Sequence, residues 1–340
     1  MIAASPLERQ PPAWQRALAE AVTDPAELCA LLGLPARLVE PARRASGAFR
    51  LHVPRGFIAR MRPGDPHDPL LRQVLPLAAE DEAVPGFTSD PLGELGLRAG
   101  NGLLQKYRGR ALLIATGACA VHCRYCFRRH FPYARENAEG GRWAAALDAL
   151  RHAPDVGEVI LSGGDPLSLT DARLAGLAAE LAAVPHVRRL RIHTRQPIVL
   201  PERVDAELAG WLAPLPIAKI VVVHCNHANE IDAEVRAAMQ RLRDCGATLL
   251  NQSVLLRGVN DTVSALEALS ETLFSCGVLP YYLHLLDRVQ GAAHFDVPVA
   301  EATALMRGLA ARLPGYLVPR LAREEPGRPA KTVLPVASPD

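Results

Sequence analysis

Lysine is nearly absent from this chain. Of 38 basic side chains among 340 residues only three are lysines, Lys106, Lys219 and Lys331, and the other 35 are arginines. A GC-rich coding sequence would produce such a skew, and the skew also limits the chemistry: a step that needs a lysine amine has three candidates. An excess of one charge is lacking too. The 36 acidic residues leave a formal charge of +2, which removes any global electrostatic case for nucleic acid. No apolar run approaches the roughly 18 residues of a membrane span. The N-terminal stretch MIAASPLERQPPAWQ has neither the basic start nor the apolar core of a signal peptide. The expectation is a soluble, cytoplasmic protein with no membrane or nucleic-acid partner.

A paired cysteine framework is also missing. The cysteines number seven, and Cys29, Cys225, Cys245 and Cys276 are scattered; each reads as a small buried hydrophobe. With 49% hydrophobic and 22% charged residues, wholesale disorder is excluded and the length is ample for a large core.

From Arg110 onward the sequence alternates. Short apolar or β-branched runs at 111–116, 158–162, 187–194, 219–225, 248–256 and 279–286 predict strands, separated by segments of helical period at 142–152, 170–183, 202–212, 230–245, 262–275 and 298–313. Six such units predict a parallel α/β structure, either an open doubly wound sheet or a partial (β/α)6 barrel. Polar or glycine-rich signatures follow nearly every strand, which favours the partial barrel around a central site. Residues 1–100 are irregular and proline-rich, with a helical pattern from Trp14 to Leu32, and are expected to form a helical, wrapping N-terminal region. The barrel is expected over 101–313, followed by a tail, 314–340, whose apolar Tyr316–Leu321 stretch predicts that its first part docks.

The remaining three cysteines, Cys119, Cys123 and Cys126, form a C-x3-C-x2-C run after the first predicted strand. Soft sulfur ligands at this spacing suit zinc, copper(I) or an iron–sulfur cluster. Zinc would take a fourth ligand, for which His122 or His130 is available. A four-iron cluster held by three cysteines instead keeps one iron open to bind a small molecule.

The spacing, and the Gly163-Gly164-Asp165 turn after the second predicted strand, resemble the radical S-adenosylmethionine (SAM) enzymes. Over roughly residues 50–335 the likeness narrows to the lysine 2,3-aminomutases. It rests on DPHDPLLRQVLP, Lys106-Tyr107 with Arg110, Cys119 through Arg129, LSGGDPL, RQPIVLPERV, LLNQSVLLRGVND, YYLHLLDRVQGAAHF and Lys331, all in order.

That resemblance implies three cofactors. Cys119, Cys123 and Cys126 would hold a [4Fe-4S] cluster whose open iron binds SAM, reduced by an external electron donor, with Gly163, Gly164 and Asp165 matching the motif for the methionyl amino group. Lys331 would form a Schiff base with pyridoxal 5′-phosphate (PLP), whose conjugated imine lets an amino group migrate by a radical route. Lys106 and Arg110 match the phosphate-contacting pair, and Gln252 is a further cofactor contact. For the substrate, L-lysine, Arg128 matches the residue that takes the carboxylate, while Asp287 and Glu324 match the two that take the far ammonium. Lys219 is expected to be a surface charge.

Departures from the fermentative enzymes sharpen the likeness. The approach to Lys331 reads Glu325-Pro326-Gly327-Arg328-Pro329-Ala330, less glycine-rich than theirs, Glu324 replaces an aspartate and His284 a tyrosine. The sequence ends nine residues after Lys331, without their cysteine-bearing extension and its zinc site. QKYRGR, GYLVPRLARE and QGAAHF resemble instead the shorter bacterial branch that makes (R)-β-lysine, which a separate ligase attaches to elongation factor P. A homodimer is expected from the same resemblance. The competing readings are a catabolic lysine aminomutase and a metal-binding protein without catalysis.

Overall fold

A computed structural model describes residues 10–47, 49–96, 102–133 and 142–335, except for the side chains of 96, 106 and 142. Its centre is one sheet of nine strands: β1 (Leu103–Tyr107), β2 (Arg110–Thr116), β3 (Glu158–Gly163), β4 (Arg189–Thr194), β5 (Ala218–His224), β6 (Ala247–Val254), β7 (Leu279–His284), β8 (Arg320–Arg323) and β9 (Thr332–Val333). The strands lie side by side in chain order. Every crossover therefore steps the same way, as in barrel winding, whereas a doubly wound sheet reverses at a switch point. This settles the choice between the two architectures in favour of the partial barrel.

Neighbours from β2 to β8 pair in parallel. β1 and β9 are antiparallel hairpin partners of β2 and β8 at the two edges. The six expected strands are thus present as β2–β7. β1, β8 and β9 go beyond that expectation, because short edge strands have too few residues for a period to show. The tail docks by adding two of them.

Each parallel strand has two unlike faces. On β3 and β4, Val159, Leu161, Leu190 and Ile192 pack into the main apolar core under the helices. The alternate residues Ile160, Ser162, Arg191 and His193 turn inward to a central cavity. The covering helices bury residues at the helical period, such as Leu174, Leu177, Ala178 and Leu181 on Asp171–Ala182, or Val235, Ala238, Met239 and Leu242 on Ala233–Asp244. Thr262 accepts a hydrogen bond from Ala265 N to cap Val263–Ser275, and Gly246 and Gly277 take the left-handed φ (74° and 75°) needed just past two helices.

The N-terminal region has its own apolar cluster, from Trp14 and Leu28 to Leu70 and Leu75, which continues into Ala120, Val121, Val199 and Leu200. It therefore backs the cysteine loop. The helical stretch expected from Trp14 to Leu32 is two helices, Ala13–Ala19 and Pro25–Leu31. Asp24 caps the second and Val22 pairs with Val53, which ends the first. No helix among the described residues is long and apolar enough to cross a membrane.

Candidate active site

The inward faces of the strands enclose a cavity of about 430 Å³. Cys119, Cys123, Cys126, Arg110, Arg128, Gly163, Gly164, Asp165, Gln252, Asp287, Glu324 and Lys331 all line it. Twelve of the thirteen residues that the resemblance gives to cofactors or substrate therefore meet in one space, whereas His122 and His130, the alternative zinc ligands, are not part of its lining. The thirteenth, Lys106, lies on β1, but its side chain is outside the described residues. Lys219 is elsewhere, donating to Ala213 O at 2.9 Å.

The three cysteines are free thiols on the turn after β2. Backbone bonds pin this turn to the end of β3, with Gly164 N to Thr116 O and Asp165 N to Ala118 O, both 2.7 Å. The glycines are required by that approach: a Cβ on Gly163 or Gly164 would stand 2.4 Å from the Thr116 or Ala118 carbonyl oxygen. From behind, fully buried Arg124 donates to Glu80 (Nε, 2.8 Å) and to Phe49 O (2.6 Å), and Arg129 Nη2 reaches the same Glu80 at 2.7 Å. Removing one partner from such a buried ion pair costs about 3–5 kcal/mol.

Asp165, in the turn that resembles the motif for the methionyl amino group, lines the cavity while its carboxylate is bonded within the chain. Its Oδ1 accepts from Leu167 N (3.0 Å) and Thr194 Oγ1 (2.7 Å), and its Oδ2 from Arg195 N (2.7 Å) and Gln196 N (3.1 Å). A carboxylate has about four lone-pair positions, so this one is filled. Burial raises the Asp165 pKa and these donors oppose the rise. Asp165 is a clasp that holds the ends of β3 and β4 together.

Arg128 is buried and forked onto Glu94, Nε to Oε2 at 2.7 Å and Nη2 to Oε1 at 2.9 Å. Its Nη1 donates to Ser162 Oγ (3.1 Å) and Gly163 O (3.2 Å). Burial opposes its charge, but the Glu94 carboxylate more than offsets this and holds the guanidinium above its ordinary pKa. Nothing in the stretch DPLGELGL marks Glu94 as a cavity residue; its partner lies 34 residues on.

Lys331 and Glu324 face each other for a topological reason. β8 and β9 pair Ala322 with Val333 and Arg323 with Thr332. The next step of that register sets Glu324 opposite Lys331, where side chains of an antiparallel pair meet. The result is Lys331 Nζ to Glu324 Oε2 at 2.8 Å. A turn containing Gly327 (φ 76°) closes the hairpin. Tyr107 OH donates to Glu324 Oε1 at 2.9 Å, joining residues 217 apart in sequence across the open side of the barrel. Burial, then Glu324, raises the Tyr107 pKa, so the phenol keeps its proton.

Around this seam stand Arg110, over the Tyr107 ring at 4.6 Å, and Tyr282, 5.9 Å from Lys331 Nζ. His284 is pushed down to about 3 by burial, then by the Lys331 ammonium. His193 and His224 are lowered too, first by burial and next by Arg191 and Arg195 respectively. All three imidazoles line the cavity as neutral groups.

The donors fit the groups that the sequence implies. Among the described residues no three or more His, Cys, Asp or Glu side chains gather closely enough for a single metal ion. A cuboidal cluster asks for something different, since each of its thiolates binds a separate iron. Arg110 Nε, Arg191 Nε and His193 Nε2 are buried without a hydrogen-bond partner among the described residues. Two orphaned guanidinium donors in the cavity that Lys331 also lines are what a phosphate-bearing aldehyde would satisfy. The sequence signal for His193 and His224 was available: each is a histidine at the carboxyl end of a predicted strand, in RLRIHT and KIVVVH.

Residues 113–267 match the model of the Radical SAM superfamily. An L-lysine 2,3-aminomutase of Escherichia coli (strain K12) is 52% identical over 94% of both chains. Another, from Haemophilus influenzae, is 46% identical over 96% of this chain and 97% of its own. A third, from Clostridium subterminale, is 38% identical over 85% of this chain and 70% of its own. Radical SAM chemistry on a four-iron cluster and PLP are the cofactor set these likenesses imply, and the chain belongs to the L-lysine 2,3-aminomutase family of radical SAM enzymes.

Proposed function

We propose that this isomerase moves the 2-amino group of free L-α-lysine to C3, and that the β-lysine formed is the R form, destined for a ligase that modifies elongation factor P. The observation that carries the reading is the shared cavity, with three cysteines in one sector and the Lys331–Glu324 pair in another. Cys119, Cys123 and Cys126 would hold three irons of the cluster, leaving the fourth for SAM beside the Gly163–Gly164 turn. Lys331 would hold PLP, with Lys106 and Arg110 at its phosphate and Gln252 a further cofactor contact. When bound, the cluster and SAM supply radical chemistry, and PLP supplies a conjugated carbonyl carbon.

The chain's own residues do the binding and orienting. Glu324 keeps the Lys331 amine at the cavity wall and accepts its proton in a hydrogen bond. Arg128, itself oriented by Glu94, would take the substrate carboxylate. Asp287 and Glu324 would take the far ammonium, and the same negative pair would repel a glutamate side chain. The neutral state of His193, His224 and His284 adds no positive charge against a cationic substrate. We further propose a cytoplasmic protein that draws electrons from an external donor and forms a homodimer.

Absorption spectra test the residue assignment. Protein purified without oxygen is expected to show iron–sulfur absorbance and a separate band from lysine-bound PLP. Lys331→Ala should lose the second band and keep the first. An unchanged PLP band in that variant would remove Lys331 from the role.

A further inference from the structure

The cysteine turn does not face the barrel wall alone. Arg195, the residue after β4, sends its guanidinium beneath the turn, where Nη1 donates to Cys123 Sγ at 2.8 Å and to Tyr125 OH at 2.6 Å. Nη2 donates to Gln73 Oε1 at 2.7 Å and to Glu230 Oε2 at 3.0 Å. The partners are themselves buried: Tyr125 is 5% exposed, and Gln73 and Glu230 are 0% exposed. Glu230 is held in turn by Asn226 N (2.9 Å), His227 N (3.0 Å) and Gln73 Nε2 (3.1 Å) on Oε1. Asn226 Nδ2 bonds both Gln73 Oε1 (2.9 Å) and Tyr125 OH (2.7 Å).

Two features make this more than a buried ion pair. All four terminal N–H directions of Arg195 have acceptors, and its backbone N is bound to the Asp165 clasp at 2.7 Å, so the donor cannot swing away from the sulfur. The site is also buried: Arg195 is 6% exposed, with its guanidinium 5.6 Å from the Phe57 ring and 5.7 Å from the Tyr125 ring. In such surroundings a fixed positive charge acts strongly on a neighbouring centre. An N–H donor and a full positive charge at a ligand sulfur both favour the electron-rich form of a cluster.

We propose that Arg195 is a positioning residue for the iron–sulfur centre: through Cys123 it raises the cluster's reduction potential, and Glu230 behind it sets how much of the positive charge the cluster feels. This rests on the reading of Cys123 as a cluster ligand. Adding an electron to the cluster adds negative charge next to a guanidinium that is already in place, so little has to reorganise. Removing the positive charge lowers the potential, and removing the Glu230 charge leaves Arg195 uncompensated and raises it. A residue that only packs the turn would not produce shifts of opposite sign.

The test is a redox titration of the full-length, cluster-loaded protein without SAM, followed by the paramagnetic signal of the reduced cluster. In Arg195→Gln the ratio of reduced to oxidised cluster at a fixed poise is expected to fall about tenfold, or about 59 mV for a one-electron couple. Arg195→Lys, which keeps the charge, should lie between it and the parent. Glu230→Gln should shift the ratio upward. If Arg195→Gln takes up no cluster, the Lys and Glu230→Gln variants decide the matter by the same signs. Shifts in one direction for both charge changes would overturn the proposal. So would an unchanged potential accompanied only by weaker SAM binding. A parent protein with no cluster signal at all would instead overturn the assignment of the cysteine turn, and this inference with it.

Discussion

Two sectors of the one cavity are built in opposite ways. The turns after β2, β3 and β4 are assembled from backbone: carbonyls of the cysteine loop accept from Gly164 and Asp165, and the Asp165 carboxylate is filled by four donors. The seam between the sheet edges is assembled from side chains. Tyr107, Glu324 and Lys331 meet there from strands at opposite ends of the sheet, and Arg110 Nε nearby has no partner among the described residues. In the first sector the backbone clasp is complete, although Arg129 Nε and Arg195 Nε are buried without a hydrogen-bond partner among the described residues. The second keeps donors that a ligand must satisfy, which is how a pocket for an exchangeable or covalently held group differs from a nest for a cluster.

The sharpest way to break this comparison is to remove a thiolate. Cys123→Ser or Cys126→Ser is expected to abolish isomerisation, by more than about a thousandfold on the scale of a lost catalytic group, while the PLP band stays. If the PLP band disappeared with the cluster, the two sectors would not be independent structures.

The same contrast explains what could be read in advance. The cysteine turn and the Gly163-Gly164-Asp165 turn are local motifs, so their residues were visible by spacing, although the clasp made by Asp165 was not. The pairing of Glu324 with Lys331 is a seven-residue interval that acquires meaning only once β8 and β9 are known to form a hairpin. The roles of Glu94, Tyr107, Arg195 and Glu230 were not legible, although Tyr107 and Arg195 fall in stretches that carry the resemblance, because the bonds that define those roles join residues between 34 and 217 apart. Six strands were legible from alternation with helices; β1, β8 and β9 are too short to carry a period, and tertiary pairing alone creates them.

A smaller effect sharpens the account of the seam. Asp287→Asn is expected to raise KM for lysine about tenfold to a hundredfold, the range of a lost charge-assisted hydrogen bond, with less change in kcat. Glu324→Gln should alter both constants, since Glu324 also holds Lys331. Steady-state kinetics on the two variants separate the roles. An unchanged KM for lysine in Asp287→Asn would remove the ammonium assignment.

The smallest expected effect concerns pH. His284 is pushed down to about 3, whereas an unfolded imidazole titrates near 6.5. The folded state therefore binds fewer protons between these values, so this group costs stability as pH falls from about 6.5 towards 3. The slope is at most about 1.4 kcal/mol per pH unit for each such group. His193 and His224 act in the same direction. Thermal melting between pH 7 and 5 should show a shallower acid loss in His284→Gln than in the parent.

The central claim is that both sectors serve one reaction on lysine. Its most direct test is chiral chromatography of the products after anaerobic incubation of the reduced, cofactor-loaded protein with L-lysine and SAM. The account predicts β-lysine, in the R form, with no isomerisation of glutamate under the same conditions. Unchanged lysine beside release of 5′-deoxyadenosine, or preferential conversion of glutamate, would contradict it.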